Sequence, residues 1–220
     1  MTRLRAVNLH IGALRPGFIH VPLKIREMPD PQPNTPPQSA LTQSALTLSF
    51  LPLSGGALAL CRLPGLLGDL TADLAVLAAF RPALVLSLTE PAEMTRLGAK
   101  DLPDRLARAD IPWTRFPIRD FDIPPTTADW AQLSARLHGT LAGAGRIVLH
   151  CRGGLGRSGM IALRLMIEAG ENPAAALPRL RRARPGAVET PAQEAWARAT
   201  LPTPHAPRAK EPPCPSPPTS

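Results

Sequence analysis

Ile147-Val148-Leu149-His150-Cys151-Arg152-Gly153-Gly154-Leu155-Gly156-Arg157-Ser158-Gly159 decides how the rest of this chain is read. Ile147 to Leu149 is a short apolar run and predicts a buried strand. A glycine-rich turn follows at once, and Met160 to Ala169, rich in Leu, Ile, Ala and Met, predicts a helix. A strand that delivers a Cys into a glycine loop, with a helix starting just behind it, is a design for binding anions. Loop amides turn inward, and the helix N-terminus adds partial positive charge. Arg157 closes the loop with a planar fork suited to two oxygens of a phosphate. A Cys attacks as thiolate, and the helix end, the amides and the arginine all stabilise that anion. The same donors then stabilise a phosphoryl group in transit. Gly153, Gly154 and Gly156 let the backbone curl tightly. The plainer reading, a glycine-rich turn that happens to hold a Cys, does not account for Cys, three glycines, Arg and Ser falling in register.

His150-Cys151-x5-Arg157-Ser158 resembles the HCx5R(S/T) loop of the cysteine-dependent protein tyrosine and dual-specificity phosphatases. The longer form, His-Cys-x-Gly-Gly-Leu-Gly-Arg-Ser, looks most like the phosphatases related to the cyclin-dependent-kinase-associated phosphatase. The resemblance runs from residue 45 to residue 200. It implies that Cys151 is the nucleophile and becomes phosphocysteine. Arg157 would bind phosphate and the transition state, with Arg152, Gly153, Gly154, Leu155 and Gly156 completing the phosphate cradle. Ser158 would assist breakdown of the intermediate, and His150 would help hold the thiolate. No cofactor is implied, and no His, Cys and carboxylate cluster has metal-ligand spacing.

Cleaving a phosphate ester also requires an acid to protonate the leaving oxygen. The segment Pro117-Ile118-Arg119-Asp120-Phe121-Asp122-Ile123-Pro124-Pro125 follows a proline-broken strand at Ile111 to Ile118. The resemblance places the acid here, at Asp120, with Asp122 the runner-up; the Trp-Pro-Asp spelling of the tyrosine phosphatases is absent. Further on, Arg184-Pro-Gly-x-x-Glu189-Thr190-x-x-Gln193 matches a segment whose Gln positions the hydrolytic water in similar phosphatases. Thr190 and Gln193 also spell a helix capping box, so Gln193 has two compatible readings. Arg184 is either structural or in reach of substrate.

The 220 residues allow one domain of ordinary size plus tails. Five prolines between Met28 and Gln38 predict an arm or linker over residues 1–44. The proline-rich end, 201–220, predicts disorder and holds an incidental Cys214. The phosphatase domain is expected over 45–200. Strands at Ala57 to Leu63 and Ala83 to Leu88 alternate with helices at Asp69 to Phe80, with Thr71 as a cap, Ala92 to Leu97, Leu102 to Ala109 and Thr126 to Ala142. Pro173 to Arg182, with Pro178 poised to kink or split it, and a segment opened by Thr190 predict two more helices. This alternation predicts an α/β fold with a central, mostly parallel sheet flanked by helices, protein-tyrosine-phosphatase-like. Glu90, after the second strand, either borders the pocket or opens a capped turn.

Aromatics are only 4 % of residues, so the core must be aliphatic. Three cysteines without close spacing fit a reducing cytosol, and the lack of any apolar run of about 18 residues excludes a membrane span. The net charge of +8 is dispersed and not interleaved with aromatics. It reads as attraction for phosphorylated substrates, not for nucleic acid. An excess of Arg over Lys, with abundant Ala and Pro, is the bias of a GC-rich bacterial genome. The expected partner is a phosphorylated protein or a small phosphorylated molecule. Which of these depends on pocket depth, set by the loops near Glu90 and Phe121. Two rivals remain at this stage: another Cys-loop enzyme, a sulfurtransferase or arsenate reductase, and a non-catalytic phosphate-binding module.

Overall fold

The structure, a computed structural model, describes residues 44–125 and 127–199. The expected N-terminal arm, the tail with Cys214, and Thr126, where the Thr126 to Ala142 helix is expected to begin, lie outside the described residues. A hairpin opens the fold. Strand β1, Ser49–Leu53, turns through Ser54 and Gly55 into the antiparallel β2, Gly56–Cys61. Both turn residues have positive φ, 50° and 87°, the hairpin geometry whose twist matches that of the flanking strands. The sequence predicts only the second of these strands. Pro52 masks the first, and it is tolerated because β1 lies at the sheet edge.

Helix α1, Leu70–Phe80, returns the chain to β3, Leu84–Ser87. Its cap is Asp69, whose carboxylate accepts from the Thr71 N–H, rather than Thr71 itself. Two short helices follow, α2, Pro91–Arg96, and α3, Leu102–Arg108, before the edge strand β4, Trp113–Arg115. Helix α4, Thr127–Ala142, leads into β5, Arg146–His150. The chain then builds α5, Gly156–Glu168, α6, Pro173–Ala183, and α7, Pro191–Arg198. The expected helix at Met160 thus begins one turn earlier, inside the glycine loop. Helix α6 runs unbroken through Pro178. The hydrogen bond a proline removes there would have gone back to the first turn, and Ala176, Leu177 and Leu180 are buried on either side of it.

The sheet order is β1-β2-β5-β3-β4, with all but the β1 pairing parallel. β5 therefore lies at the centre, covered on both faces, which is why its sequence is continuously apolar and not alternating. Ile147 and Leu149 face a core shared with α4, α5, α6 and α7. Val148 faces the opposite core, with Leu74 and Leu77 of α1, Met94 of α2 and Leu102 and Leu106 of α3. The carboxyl ends of β5, β3 and β4 open side by side, and ligands bind at such ends in open α/β sheets.

Glu168, at the last turn of α5, ties the helices behind the loop together. Its carboxylate accepts from Trp130 Nε1 at 2.9 Å and Ser134 Oγ at 2.5 Å, pairs with His138 Nε2 at 3.2 Å, and meets Arg164 Nε at 2.6 Å. Burial pushes this carboxyl up, but hydrogen bonds from His138, Ser134, Trp130 and Arg164 outweigh it and bring it down to about 2 from 4.5. A carboxyl depressed in the folded state stabilises the fold above its unfolded value, and that contribution fades as pH falls from 4.5 toward 2. With its side chain 22 % exposed, the linkage is worth about 3 kcal/mol at neutral pH. Glu168→Gln is expected to be less stable than wild type by that order in urea unfolding at pH 7. The gap should close between pH 4.5 and 2; a gap independent of pH would refute the assignment.

Candidate active site

Three strand ends assemble the site. From β5, the chain leaves His150 and passes directly into the loop from Cys151 to Gly156. Cys151 is 2 % exposed. Its Sγ accepts from the Gly154 N–H at 3.2 Å and lies 3.5 Å from Ser158 Oγ, a pair in which either atom can donate. The glycines are not equivalent. Gly154 has φ +72°, and a Cβ there would lie 2.4 Å from the Cys61 main chain; one at Gly156 would lie 2.2 Å from a Glu189 oxygen and 3.0 Å from Gln193. At Gly153 a Cβ would meet nothing within 4 Å and at Gly156 only the ends of side chains, so of the three glycines Gly154 alone is pinned by the main chain. Helix α5 has no side-chain cap at its N-terminus, leaving its first amides to the loop.

Arg184 grips the loop from the side opposite Cys151 Sγ and so orients the Gly154 amide. Its Nε donates to the Gly154 carbonyl at 3.0 Å and its Nη2 to the Gly153 carbonyl at 2.9 Å. The Gly153 carbonyl and the Gly154 N–H belong to one peptide plane and point opposite ways. Arg184 holds the carbonyl on one side, and Cys151 Sγ receives the N–H on the other. This resolves the alternatives for Arg184 toward a positioning role. Arg184→Ala is expected to lower kcat about 100-fold by misplacing loop donors, with Arg184→Lys recovering part of it. A kcat within twofold of wild type for Arg184→Ala would exclude the role.

Arg157 is 1 % exposed and held from both sides. Its Nη1 and Nη2 take both oxygens of Glu93, at 2.6 and 2.8 Å; Nη1 also donates to the Ile118 carbonyl at 3.0 Å. Asp120 Oδ1 lies 2.9 Å from Nη2. Burial disfavours both charged partners of the Glu93 pair. Their mutual hydrogen bonds outweigh it, lowering Glu93 and raising Arg157. Sequence reasoning singled out Glu90 and missed Glu93. Glu90 is the N-cap of α2 and Glu93 lies in its first turn, and nothing in that local spacing marks Glu93 as the partner of Arg157.

Asp120 and Asp122 differ in where they face. Asp122 Oδ1 accepts from the adjacent Ile123 N–H at 2.8 Å, whereas Asp120 reaches Arg157. Phe121 between them has φ +61° and is 59 % exposed, a reversal that sends the two carboxyls different ways. Gln193 is buried. It receives the Thr190 cap through its own N–H at 3.1 Å, its Oε1 accepts from the Glu189 N–H at 3.1 Å, and its Nε2 donates to the Asp122 carbonyl at 3.4 Å. It packs beside Gly156, so one residue joins the last helix, the loop and the Asp122 segment.

His150 points into the protein. The strand register places it between Cys61 and Ser87, and its Nε2 lies 2.5 Å from Ser87 Oγ, which accepts from Trp113 Nε1 at 2.7 Å. The direction of the Ser87–His150 bond follows the imidazole tautomer, since the serine oxygen can accept from Trp113 and still either donate to or accept from the ring. Burial pushes the imidazole down to about 4, partly offset by the Cys151 main chain, so the ring is neutral. Its side chain meets Ser87, not the sulfur. Cys61, the other buried free cysteine, is pushed up to about 12 by burial and by Cys151 nearby, and is a packed thiol. A cavity of about 440 Å³ opens beside Arg157, bordered by Glu90, Glu93, Arg96, Leu97, Arg119, Asp120 and Arg152.

The protein-tyrosine phosphatase family model matches residues 111–201, a span that holds Asp120, the Cys151 loop and Gln193 but not Glu93. Among solved structures, one similar chain is a kinase-associated phosphatase whose catalytic-site cysteine is replaced by serine. It is 25 % identical with a TM-score of 0.66, over 71 % of this chain and 94 % of that one. Tk-PTP in its active form is 29 % identical with a TM-score of 0.52, over 66 % of this chain and 90 % of that one. No curated protein matches the sequence. These matches support the cysteine-dependent protein tyrosine phosphatase superfamily, on the side of the kinase-associated phosphatase. This protein is a cysteine-dependent phosphatase, a hydrolase with a protein-tyrosine-phosphatase-like fold. The sulfurtransferase, arsenate reductase and binding-module readings are not favoured.

Proposed function

We propose that the protein hydrolyses its phosphomonoester in two steps through phosphocysteine on Cys151, in a domain spanning 45–200 and acting in the cytoplasm. The observation that carries this reading is the buried Arg157, which holds Asp120 at 2.9 Å beside the Cys151 loop. In the first step Cys151 Sγ attacks phosphorus and the ester P–O bond breaks. Asp120 gives its proton to the leaving oxygen. Arg157 and the amides from Arg152 to Arg157 hold the three equatorial oxygens as charge develops. A phosphate oxygen arriving at Nη2 displaces Asp120 from Arg157 and frees the acid to turn to the leaving group. In the second step water attacks phosphorus and the S–P bond breaks. Asp120 takes the water's proton, Gln193 orients the water and Ser158 supports the departing thiolate. Among the described residues no helix is long and apolar enough to cross a membrane.

The test is acid quenching during steady-state turnover of p-nitrophenyl phosphate, followed by mass spectrometry. A phosphoryl group is expected on the peptide holding Cys151, and it should accumulate further in Gln193→Ala, whose water is unplaced. Phosphate on another residue, or none in either protein during turnover, would overturn the proposal.

A further inference from the structure

The cavity beside Arg157 has the wrong lining for an aromatic ring. Of its seven bordering residues, six are charged and only Leu97 is apolar. A phosphotyrosine side chain needs apolar or aromatic walls for its ring, because burying that surface supplies most of its affinity. A volume of about 440 Å³ also exceeds the need of one phosphoryl group and falls in the range of small-molecule sites.

The charges there are unevenly committed. Both oxygens of Glu93 bind Arg157, and Asp120 pairs with the same guanidinium. Arg96, Arg119 and Arg152 form no ion pair among the described residues, although all three border the cavity. They come from three elements: the end of α2, the segment after β4, and the Cys151 loop itself. Guanidinium forks match phosphate oxygens in pairs. Glu90 is the one remaining carboxylate, with no capping bond to α2, and it is an acceptor suited to a hydroxyl group.

We infer that Arg96, Arg119 and Arg152 form a second anion subsite beside the Cys151 loop. The substrate is a compact phosphomonoester bearing a second phosphate on a hydroxylated scaffold, a polyol or sugar bisphosphate, rather than phosphotyrosine. The inference rests on the phosphatase reading above. One phosphate enters the Cys151 loop, the other lies among the three arginines, and Glu90 accepts from a scaffold hydroxyl. The same headgroup, free or carried on a lipid, presents this chemistry.

The experiment measures kcat/KM for an inositol bisphosphate, free and as a lipid headgroup in vesicles, against phosphotyrosine and p-nitrophenyl phosphate. The bisphosphate is expected to exceed phosphotyrosine at least tenfold. That ratio should fall about tenfold in each of Arg96→Gln and Arg119→Gln, the scale of losing a charged hydrogen bond. The exposed Arg108→Gln, on the far helix α3, controls for net charge and should leave the ratio unchanged. Preference for the free or the vesicle-borne form names the source. Calorimetric binding of the bisphosphate to Cys151→Ser, with and without Arg96→Gln, decides the subsite independently of turnover. Loss of p-nitrophenyl phosphate hydrolysis in wild type would fail the phosphatase reading alone. A phosphotyrosine preference, or ratios and affinities indifferent to Arg96 and Arg119, would overturn the subsite.

Discussion

Cys151→Ser is expected to abolish hydrolysis of p-nitrophenyl phosphate while the protein stays folded and still binds phosphate. The substitution keeps the shape of the loop, and the Gly154 N–H and Ser158 Oγ still face the replaced atom. What is lost is the nucleophile: without an activating base a serine hydroxyl is far weaker than a cysteine sulfur. The companion variant, Asp120→Asn, should lower kcat by about 100- to 10,000-fold, because an amide gives no proton. The deficit should be larger for an alkyl phosphate than for p-nitrophenyl phosphate, whose leaving group departs readily as an anion. Asp122→Asn, by contrast, should cost little, since that carboxylate bonds its own neighbour's amide. Hydrolysis that survives Cys151→Ser would end the whole reading, and equal losses at the two aspartates would reopen the choice of acid.

How much of this was legible in the sequence follows from how local each feature is. The Cys151 loop is contiguous, and its chemistry depends on residue types at fixed spacing, so the strand, loop and helix are readable from one stretch. Gln193 and Asp120 are remote from it in sequence and were reached by resemblance to a family pattern. The structure shows what brings them near: Asp120 by an ion pair to Arg157, Gln193 by packing beside Gly156. Glu93 was not legible. Its partner is 64 residues away, and no local pattern marks which of two glutamates on one helical turn faces inward. Arg184 was visible as a candidate, but its role lies in two backbone carbonyls, which a sequence never displays. β1 was hidden by Pro52, because edge strands admit the residue that central strands exclude.

Glu93→Gln is expected to cost about 2–3 kcal/mol of stability and most of the activity, because the buried guanidinium loses its bidentate carboxylate and keeps only the part-exposed Asp120. Arg157 is 1 % exposed and Glu93 4 %, so water cannot take over the lost contacts. Asp120 would then be the nearest carboxylate to Arg157, at 2.9 Å, and would be held there instead of turning to the leaving group. Stability and catalysis separate in the double variant Glu93→Leu/Arg157→Met. Replacing a buried ion pair by apolar side chains of similar volume is often neutral or stabilising. The double variant should therefore unfold in urea at a concentration no lower than Glu93→Gln, yet remain inactive. This outcome would mean that the pair is kept for the phosphate it orients rather than for the fold it joins. Wild-type stability in Glu93→Gln would show that the ion pair does not hold Arg157. Activity in the double variant would remove Arg157 from the reaction altogether.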